Sequence, residues 1–464
     1  MDEFVPRKSK YCPDCYKHSR ISFGWCKDCE TDFMKGRFPY WSSGNRDVDE
    51  LIRHTQLNSS QTCDYLEWIP FEAFDMVKYI GSGGFSSIYS ALWMEGPRLV
   101  WGEGLQEWTR TGPIKVALKR LDNSTNITGS YVNQIKTHHK CIQSVSLAET
   151  FGITRDPTSN YMIVMKYYEN GNLYQYLDRS NRILSWKDII DILWEIAEGL
   201  EKIHSEGKVH KNVHGGNLLV DEKDVTDTRV SDVGLYGPCY YHETNQIYGV
   251  LPYIAPEILR GENYNTASDI YSFGIIMNIL AAGKRPWYNR AHDINLAKDI
   301  CNGERLKIPE DTPGFYAELM RQCWDNDPVN RPTASYLYKK LNWINLIRDN
   351  PNPFDDNYYV SEEKRCKIIS QLSKTYTHPE IHPEAYYTSR LLNTSRNYFK
   401  KHLRCMSLIS ENHMPNVFEE YLSSVIKDCD VLDFWKAQSS DARYARLTQM
   451  ARDYLLQLAS NQCI

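Results

Sequence analysis

No run of about 18 uncharged apolar residues, the length a membrane-crossing helix needs, occurs in this chain. The best candidate, 270–282, is too short and follows directly on Asp269. The first residues, Met1-Asp2-Glu3-Phe4-Val5-Pro6, lack the apolar centre of a secretory leader. Without that route, the Asn-x-Ser/Thr matches at Asn58, Asn123, Asn126 and Asn393 read as chance. A formal net charge of −5 leaves no basic field for coating nucleic acid. These absences exclude membrane and nucleic-acid classes and predict a soluble, cytoplasmic chain, with the nucleus as the alternative compartment. What is there is ordinary for a globular protein: 464 residues, 42% hydrophobic and 24% charged, enough for two or three domains around a large core.

Thirteen cysteines split into four paired near the start and nine scattered singly, the latter read as reduced thiols. Cys12-Pro13-Asp14-Cys15 and Cys26-Lys27-Asp28-Cys29 are two CxxC knuckles separated by ten residues. Such turns aim four thiolates at one centre, the ligand set of a closed structural Zn²⁺ site. A redox dithiol or a disulfide pair gives no reason for two matched knuckles. So short a segment cannot bury enough apolar surface alone, so metal binding would supply its folding energy. Phe23, Trp25, Arg20 and Lys27 then face either a partner or the metal's surround. Residues 1–33 are thus a zinc-ribbon-like segment, and 34–73 read as a linker with one short helix near 47–56. Within it, Leu66-Glu67-Trp68-Ile69-Pro70 forms an apolar anchor for the next domain's sheet.

The chain's organising stretch is Val209-His210-Lys211-Asn212-Val213-His214-Gly215-Gly216-Asn217, followed by Asp232-Val233-Gly234 and then Ala255-Pro256-Glu257. Upstream, Tyr79-Ile80-Gly81-Ser82-Gly83-Gly84-Phe85-Ser86-Ser87-Ile88-Tyr89 is a glycine-rich hairpin whose backbone N–H groups can approach phosphates closely. Lys115-Val116-Ala117-Leu118-Lys119-Arg120-Leu121 alternates like a strand and carries Lys119 among apolar neighbours, a costly place for an unpaired ammonium. Taken in this order, the motifs resemble a protein kinase domain spanning 74–348.

That resemblance implies an α+β bilobal kinase fold: a small β-rich lobe with the family's αC helix, here 130–139, and a large helical lobe. It implies ATP with Mg²⁺ or Mn²⁺ as cofactors. Gly81, Ser82, Gly83 and Gly84 would cover the phosphates, Ile88 and Ala117 flank the base, and Lys119 reach the α- and β-phosphates. Met165 would be the gatekeeper, Lys166, Tyr167 and Tyr168 the hinge, and Asn217 and Asp232 the metal ligands. Asp269 of Ser268-Asp269-Ile270-Tyr271-Ser272-Phe273-Gly274 would tie down the catalytic loop, and Arg331 would pair with Glu257. The activation segment carries Tyr236, Tyr240, Tyr241, Thr244 and Tyr248, while the insertion 93–113 offers no readable role. The motifs most resemble the tyrosine-kinase-like group, in particular an expanded fungal set with a CxxC…CxxC head. The run from His382 to Leu392 also resembles that set.

The departures from the family pattern fall on phosphotransfer. Asn212 stands at the catalytic base, a group worth about 10²–10⁴ in rate. Lys211 replaces an arginine, exchanging a bidentate fork for a point charge. Val233 replaces a phenylalanine, Ser86 the third loop glycine, and Gln134 the αC glutamate that would hold Lys119. Beyond a linker at 349–415 with one helix-like stretch, residues 416–464 resemble the dimerisation region of hAT-superfamily transposases. The resemblance rests on Glu419-Glu420-Tyr421-Leu422, Asp430-Val431-Leu432-Asp433-Phe434-Trp435-Lys436 and Met450-Ala451-Arg452-Asp453-Tyr454-Leu455. It implies self- or hetero-association through this tail, and a generic amphipathic helix pair or a fusion relic stays open beside it. The favoured reading is a signalling protein that binds ATP but transfers phosphate poorly, with protein partners or substrates. One alternative is an active kinase for Ser, Thr or Tyr hydroxyls. The other is a non-catalytic scaffold acting through the zinc head and the tail.

Overall fold

The computed structural model describes residues 12, 15–16, 25–59, 64–102, 107–141, 146–179, 183–221, 227–235, 237–239, 246–348, 356–372 and 380–395. The chain divides into two units, Met1–Asn393 and Thr394–Ile464. The transposase-like tail at 416–464, with Tyr236, Tyr240, Tyr241 and Thr244, lies outside the described residues.

Helix α1 (Lys27–Arg37) grows straight out of the second cysteine knuckle, with acids in its first turn and bases in its last, as the helix dipole favours. Helix α2 (Arg46–Asn58) starts at Asn45, whose side chain accepts from the N–H groups of Asp47 and Val48. The sequence reads 34–73 as a linker, but α2 packs tightly. Its Val48, Leu51 and Ile52 share one buried cluster with Tyr131, Val132 and Ile135 of helix α3 (Gly129–Cys141).

The small lobe is built from strands β1 (Glu67–Trp68), β2 (Phe74–Ser82), β3 (Ser86–Trp93), the hairpin β4 (Arg98–Gly102) and β5 (Glu107–Arg110), β6 (Ile114–Leu121), β7 (Thr150–Arg155) and β8 (Tyr161–Lys166). Six of them form one sheet in the order β1-β7-β8-β6-β3-β2. The anchor around Trp68 is therefore a strand of the sheet, running parallel to β7, with Leu66 and Ile69 buried beside it. The hairpin β4–β5 gives the insertion a contact that sequence did not reveal. Arg98 meets Glu30 of α1 at 2.6 Å and lies over the Phe33 ring at 4.0 Å.

The large lobe comprises α4 (Leu173–Arg179), α5 (Trp186–Ser205), β9 (Leu218–Val220), β10 (Thr228–Val230), β11 (Gln246–Gly249), α6 (Pro256–Leu259), α7 (Thr266–Ala282), α8 (Ile294–Cys301), α9 (Gly314–Cys323) and α10 (Ala334–Arg348). Ile189, Ile190, Leu193, Ile196, Ala197 and Leu200 form the buried stripe of α5 that its 3.6-residue spacing predicts. Helix α7 opens with a capping box between Asn265 and Ser268 and closes at Gly283, whose φ of 63° suits glycine. Its residues 268–281 are all buried, so the chain's best apolar run is a core helix. Among the described residues no helix is long and apolar enough to cross a membrane.

Two further elements follow, α11 (Asp356–Leu372) and β12 (Arg390–Ser395). Helix α11 is fixed to the large lobe by Arg365, which donates to Leu184 O (2.8 Å) and Leu280 O (3.1 Å) and pairs with Asp311 (3.0 Å). Strands β11 and β12 form a two-stranded sheet. Within the stretch 349–415, read from sequence as a linker with one helix-like stretch, the described residues thus include a packed helix and a strand.

Candidate active site

The loop at 210–217 is positioned by one carboxylate. Asp269, in the first turn of α7, accepts from His210 N (2.8 Å), Lys211 N (2.9 Å) and His204 Nε2 (2.9 Å). The His210 ring is then defined by its own bonds. Nε2 faces Ser231 O at 2.8 Å and must donate, which leaves Nδ1 to accept from Asn212 N at 3.2 Å. Burial lowers the His210 pKa and keeps that neutral tautomer. Lys211 and Asp232 adopt φ of 70° and 62°, left-handed values at non-glycine residues such as functional sites tolerate. Asn217 donates its Nδ2 to Asn212 O at 3.0 Å, so its Oδ1 is the atom available to a cation.

Between the lobes lies a cavity of about 780 Å³. Gly81, Ser82, Gly83 and Gly84 form its roof, with Ile88 and Ala117 behind them. Met165, Lys166, Tyr167 and Tyr168 line the hinge side, and Asn212, Asn217 and Asp232 the floor. Phe85 at the loop tip packs edge-on against Tyr248, their centroids 5.4 Å apart. The cavity also takes in residues that sequence reasoning did not mark, including Tyr131, Tyr174, Arg285 and the stretch 385–389.

Lys119 keeps an ion pair, but with Asp232. The expected neighbour Gln134 does not reach it: Gln134 Oε1 is buried without a hydrogen-bond partner. Sequence had Lys119 losing its ion pair when Gln134 replaced the glutamate, and here the carboxylate one motif further on supplies the charge. Burial would raise the Asp232 carboxyl, but the charge and hydrogen bond of Lys119 outweigh it and hold the group below the ordinary carboxylate value. One turn along α3 from Gln134, His138 Nδ1 accepts from Val233 N at 3.2 Å and ties the helix to the Asp232-Val233-Gly234 turn. Burial pushes His138 down to about 3, so it stays neutral. Nothing in its sequence context distinguished His138 from an ordinary helical residue.

The donors on the floor, one carboxylate and one amide oxygen, suit Mg²⁺, which is usually held by one or two carboxylates plus phosphate oxygens and water. Away from the cleft, Cys12, Cys15, Cys26 and Cys29 bring their sulfurs within 4.8 Å of one another. The Cys12–Cys29 and Cys15–Cys26 separations are both 3.8 Å. Four sulfurs at about 2.3 Å from a tetrahedral zinc would stand about 3.8 Å apart, so the cluster fits that ion. Trp25 is fully buried beside the knuckles and stacks on Tyr65, which settles its orientation toward the protein interior.

A family model described as protein tyrosine and serine/threonine kinase matches residues 74–341, more than half of the chain. Among curated proteins, a probable serine/threonine-protein kinase of Dictyostelium discoideum is 27% identical over 63% of this chain and 16% of its own length. The probable serine/threonine-protein kinase pats1 of the same organism is 27% identical over 59% of this chain and 8% of its own length. A third such kinase from Dictyostelium discoideum is 29% identical over 48% of this chain and 16% of its own. The chain therefore spans less than a fifth of the length of these relatives.

Proposed function

The chain belongs to the protein tyrosine and serine/threonine kinase family, and on that premise we propose a signalling protein that binds ATP with Mg²⁺ but transfers phosphate weakly or not at all. The observation that carries this reading is the hydrogen bond from Ser389 Oγ to Asn212 Oδ1, 2.9 Å long. A hydroxyl can be held at this position, yet a neutral amide cannot take its proton. Asn212 therefore orients an acceptor without acting as base, which removes about 10²–10⁴ in rate while positioning and charge neutralisation persist.

The nucleotide half of the site supports binding. Lys119 and Asp232, which hold one another here, are the cation and anion that a phosphate chain and a metal ion would take up. Asn217 Oδ1 and the Asp232 carboxylate would hold Mg²⁺, which neutralises charge on the phosphates when bound. The glycines at 81, 83 and 84 put no side chain between the loop backbone and the cavity, so phosphate oxygens could approach it closely. Met165, Lys166, Tyr167 and Tyr168 would receive the base.

The finer parts of the reading rest on motif and geometry. The wording of the motifs and the cysteine head group the chain with the tyrosine-kinase-like kinases. Cys12, Cys15, Cys26 and Cys29 would hold a structural Zn²⁺ within the segment 1–33. Residues 74–348 would be the kinase domain, and 416–464 an association segment for a second copy or another signalling protein.

The test is incorporation of labelled γ-phosphate by the purified chain with Mg²⁺ or Mn²⁺, beside Asn212→Asp. Signal from the aspartate variant alone, at least about 100-fold above the unaltered chain, is the expected result. Comparable incorporation by the unaltered chain would mean an active kinase and overturn the proposal. Silence in both would move the defect to Gln134 or to nucleotide binding.

A further inference from the structure

The front of the cleft is lined by the chain's own residues 385–389. The burial of this segment alternates: Ala385, Tyr387 and Ser389 turn inward, whereas Tyr386 and Thr388 are exposed. A period of two is the mark of an extended backbone with one face on a surface. Its partners are specific along the whole length. His382 N donates to Tyr288 O at 2.8 Å, and His292 N donates to Glu384 O at 2.9 Å. His292 Nδ1 lies 2.9 Å from Tyr386 O and 3.2 Å from Tyr386 N. Tyr387 drops between His292 and Tyr174, with centroids at 5.0 and 5.9 Å, under the Arg285 guanidinium, and its hydroxyl donates to Pro286 O at 3.0 Å. Arg390 Nη2 donates to His292 O at 2.6 Å.

Two contacts fix where this segment lies relative to the chemistry. Ser389 Oγ sits on Asn212 Oδ1. The Ser389 carbonyl oxygen would stand 1.5 Å from a Cβ built on Gly84, so the segment passes directly against the tip of the glycine-rich loop, and only glycine there admits it. Resting on the kinase reading of Asn212 as the acceptor position, we propose that residues 382–390 are the cleft's own polypeptide ligand. They occupy the acceptor groove with Ser389 at the acceptor position and Tyr387 in a dedicated aromatic pocket. The groove thus selects an extended Tyr-x-Ser-Arg element, and another protein carrying that element takes the seat only when this segment leaves it.

The proposal is tested on the full chain by anisotropy of a fluorescein-labelled synthetic peptide of residues 382–392. The unaltered chain should bind it weakly, because the tethered copy competes at a high effective concentration. Tyr387→Ala in the chain frees the groove and should raise peptide affinity at least about tenfold. Gly84→Ala should also release the tethered segment, seen as faster amide exchange at Tyr386, but should refuse the peptide because the new methyl blocks its path. Equal affinity for unaltered chain and Tyr387→Ala would overturn the proposal, as would Gly84→Ala binding as tightly as Tyr387→Ala. Melting curves of the three chains verify that all are folded. A fluorescent ATP analogue titrated into the same samples reads the nucleotide function separately. No nucleotide binding beside the expected peptide pattern refutes ATP binding alone, and nucleotide binding without that pattern refutes the groove assignment alone.

Discussion

Glu257–Arg331 and Lys119–Asp232 are both buried ion pairs, yet they have been built to opposite ends. The first is bidentate, with two contacts of 2.8 Å and side chains 1% and 0% exposed. Arg331 also donates to Ala267 O and Asp325 O, both at 2.9 Å, so its fork is filled entirely from within the large lobe. The second is a single contact between the lobes, 11% and 13% exposed, on the wall of the cavity. A pair closed on all sides holds architecture. A pair open on one side can be exchanged for ligands of the same charges. The pair that closes the large lobe and the pair that faces the cavity are thus separated physically.

The comparison breaks most sharply at its closed end. Arg331→Met leaves the Glu257 charge buried and unpaired and should cost about 3–5 kcal/mol, lowering the melting temperature by about 10 °C. Acid probes the other end. Burial pushes His139, on α3, down to about 4, and it holds His138 neutral as well. An unfolded imidazole titrates near 6.5, so the stability from these neutral rings is complete above that value. It is lost as pH falls from about 6.5 toward 4, by about 2 kcal/mol per ring at pH 5. Amide exchange at pH 5 should therefore accelerate around α3 before it does around Glu257.

Lys119→Met should matter less to folding, by about 1 kcal/mol, because Asp232 is left facing the cavity, but it should weaken binding of an ATP analogue at least about tenfold. Titration calorimetry beside a melting curve separates the two effects. The smallest effect on binding is expected from Gln134→Glu: the side chain at 134 does not reach Lys119, so the Lys119–Asp232 pair should stay in place and analogue affinity should remain within about twofold of the unaltered chain.

Much of this was legible in the sequence because the motifs are local. Asp269, Glu257 and Arg331 sit in short signatures, and the predicted pairs are the ones formed. A short helix near 47–56 was legible, and the helix formed runs Arg46–Asn58 with Val48, Leu51, Ile52 and Thr55 on its buried face. What those residues pack against was not, because periodicity gives a face and no neighbour. The Lys119 partner depends on whether Gln134 or Asp232 lies closer in space, a matter of a few ångströms that no spacing encodes. The seat of residues 382–390 rests on backbone hydrogen bonds and one aromatic pocket, and neither leaves a pattern in sequence. The insertion at 93–113 meets the rest of the chain through Arg98, on Glu30 and Phe33, and through Arg110, on Glu67, partners that lie far upstream in sequence.

Helix α2 carries one more implication, for the way this protein can be cut and recombined. The family's border falls at residue 74, but Val48, Leu51 and Ile52 lie in the small lobe's own core against α3. A chain trimmed to the border would lose that wall and expose Tyr131, Val132 and Ile135 to water. The packed unit is therefore longer than the signature by which it is recognised, and grafting it elsewhere means carrying the strand and helix ahead of it. Helix α2 packs against both α1 and α3, so it joins the cysteine head to the helix whose His138 accepts from Val233 N.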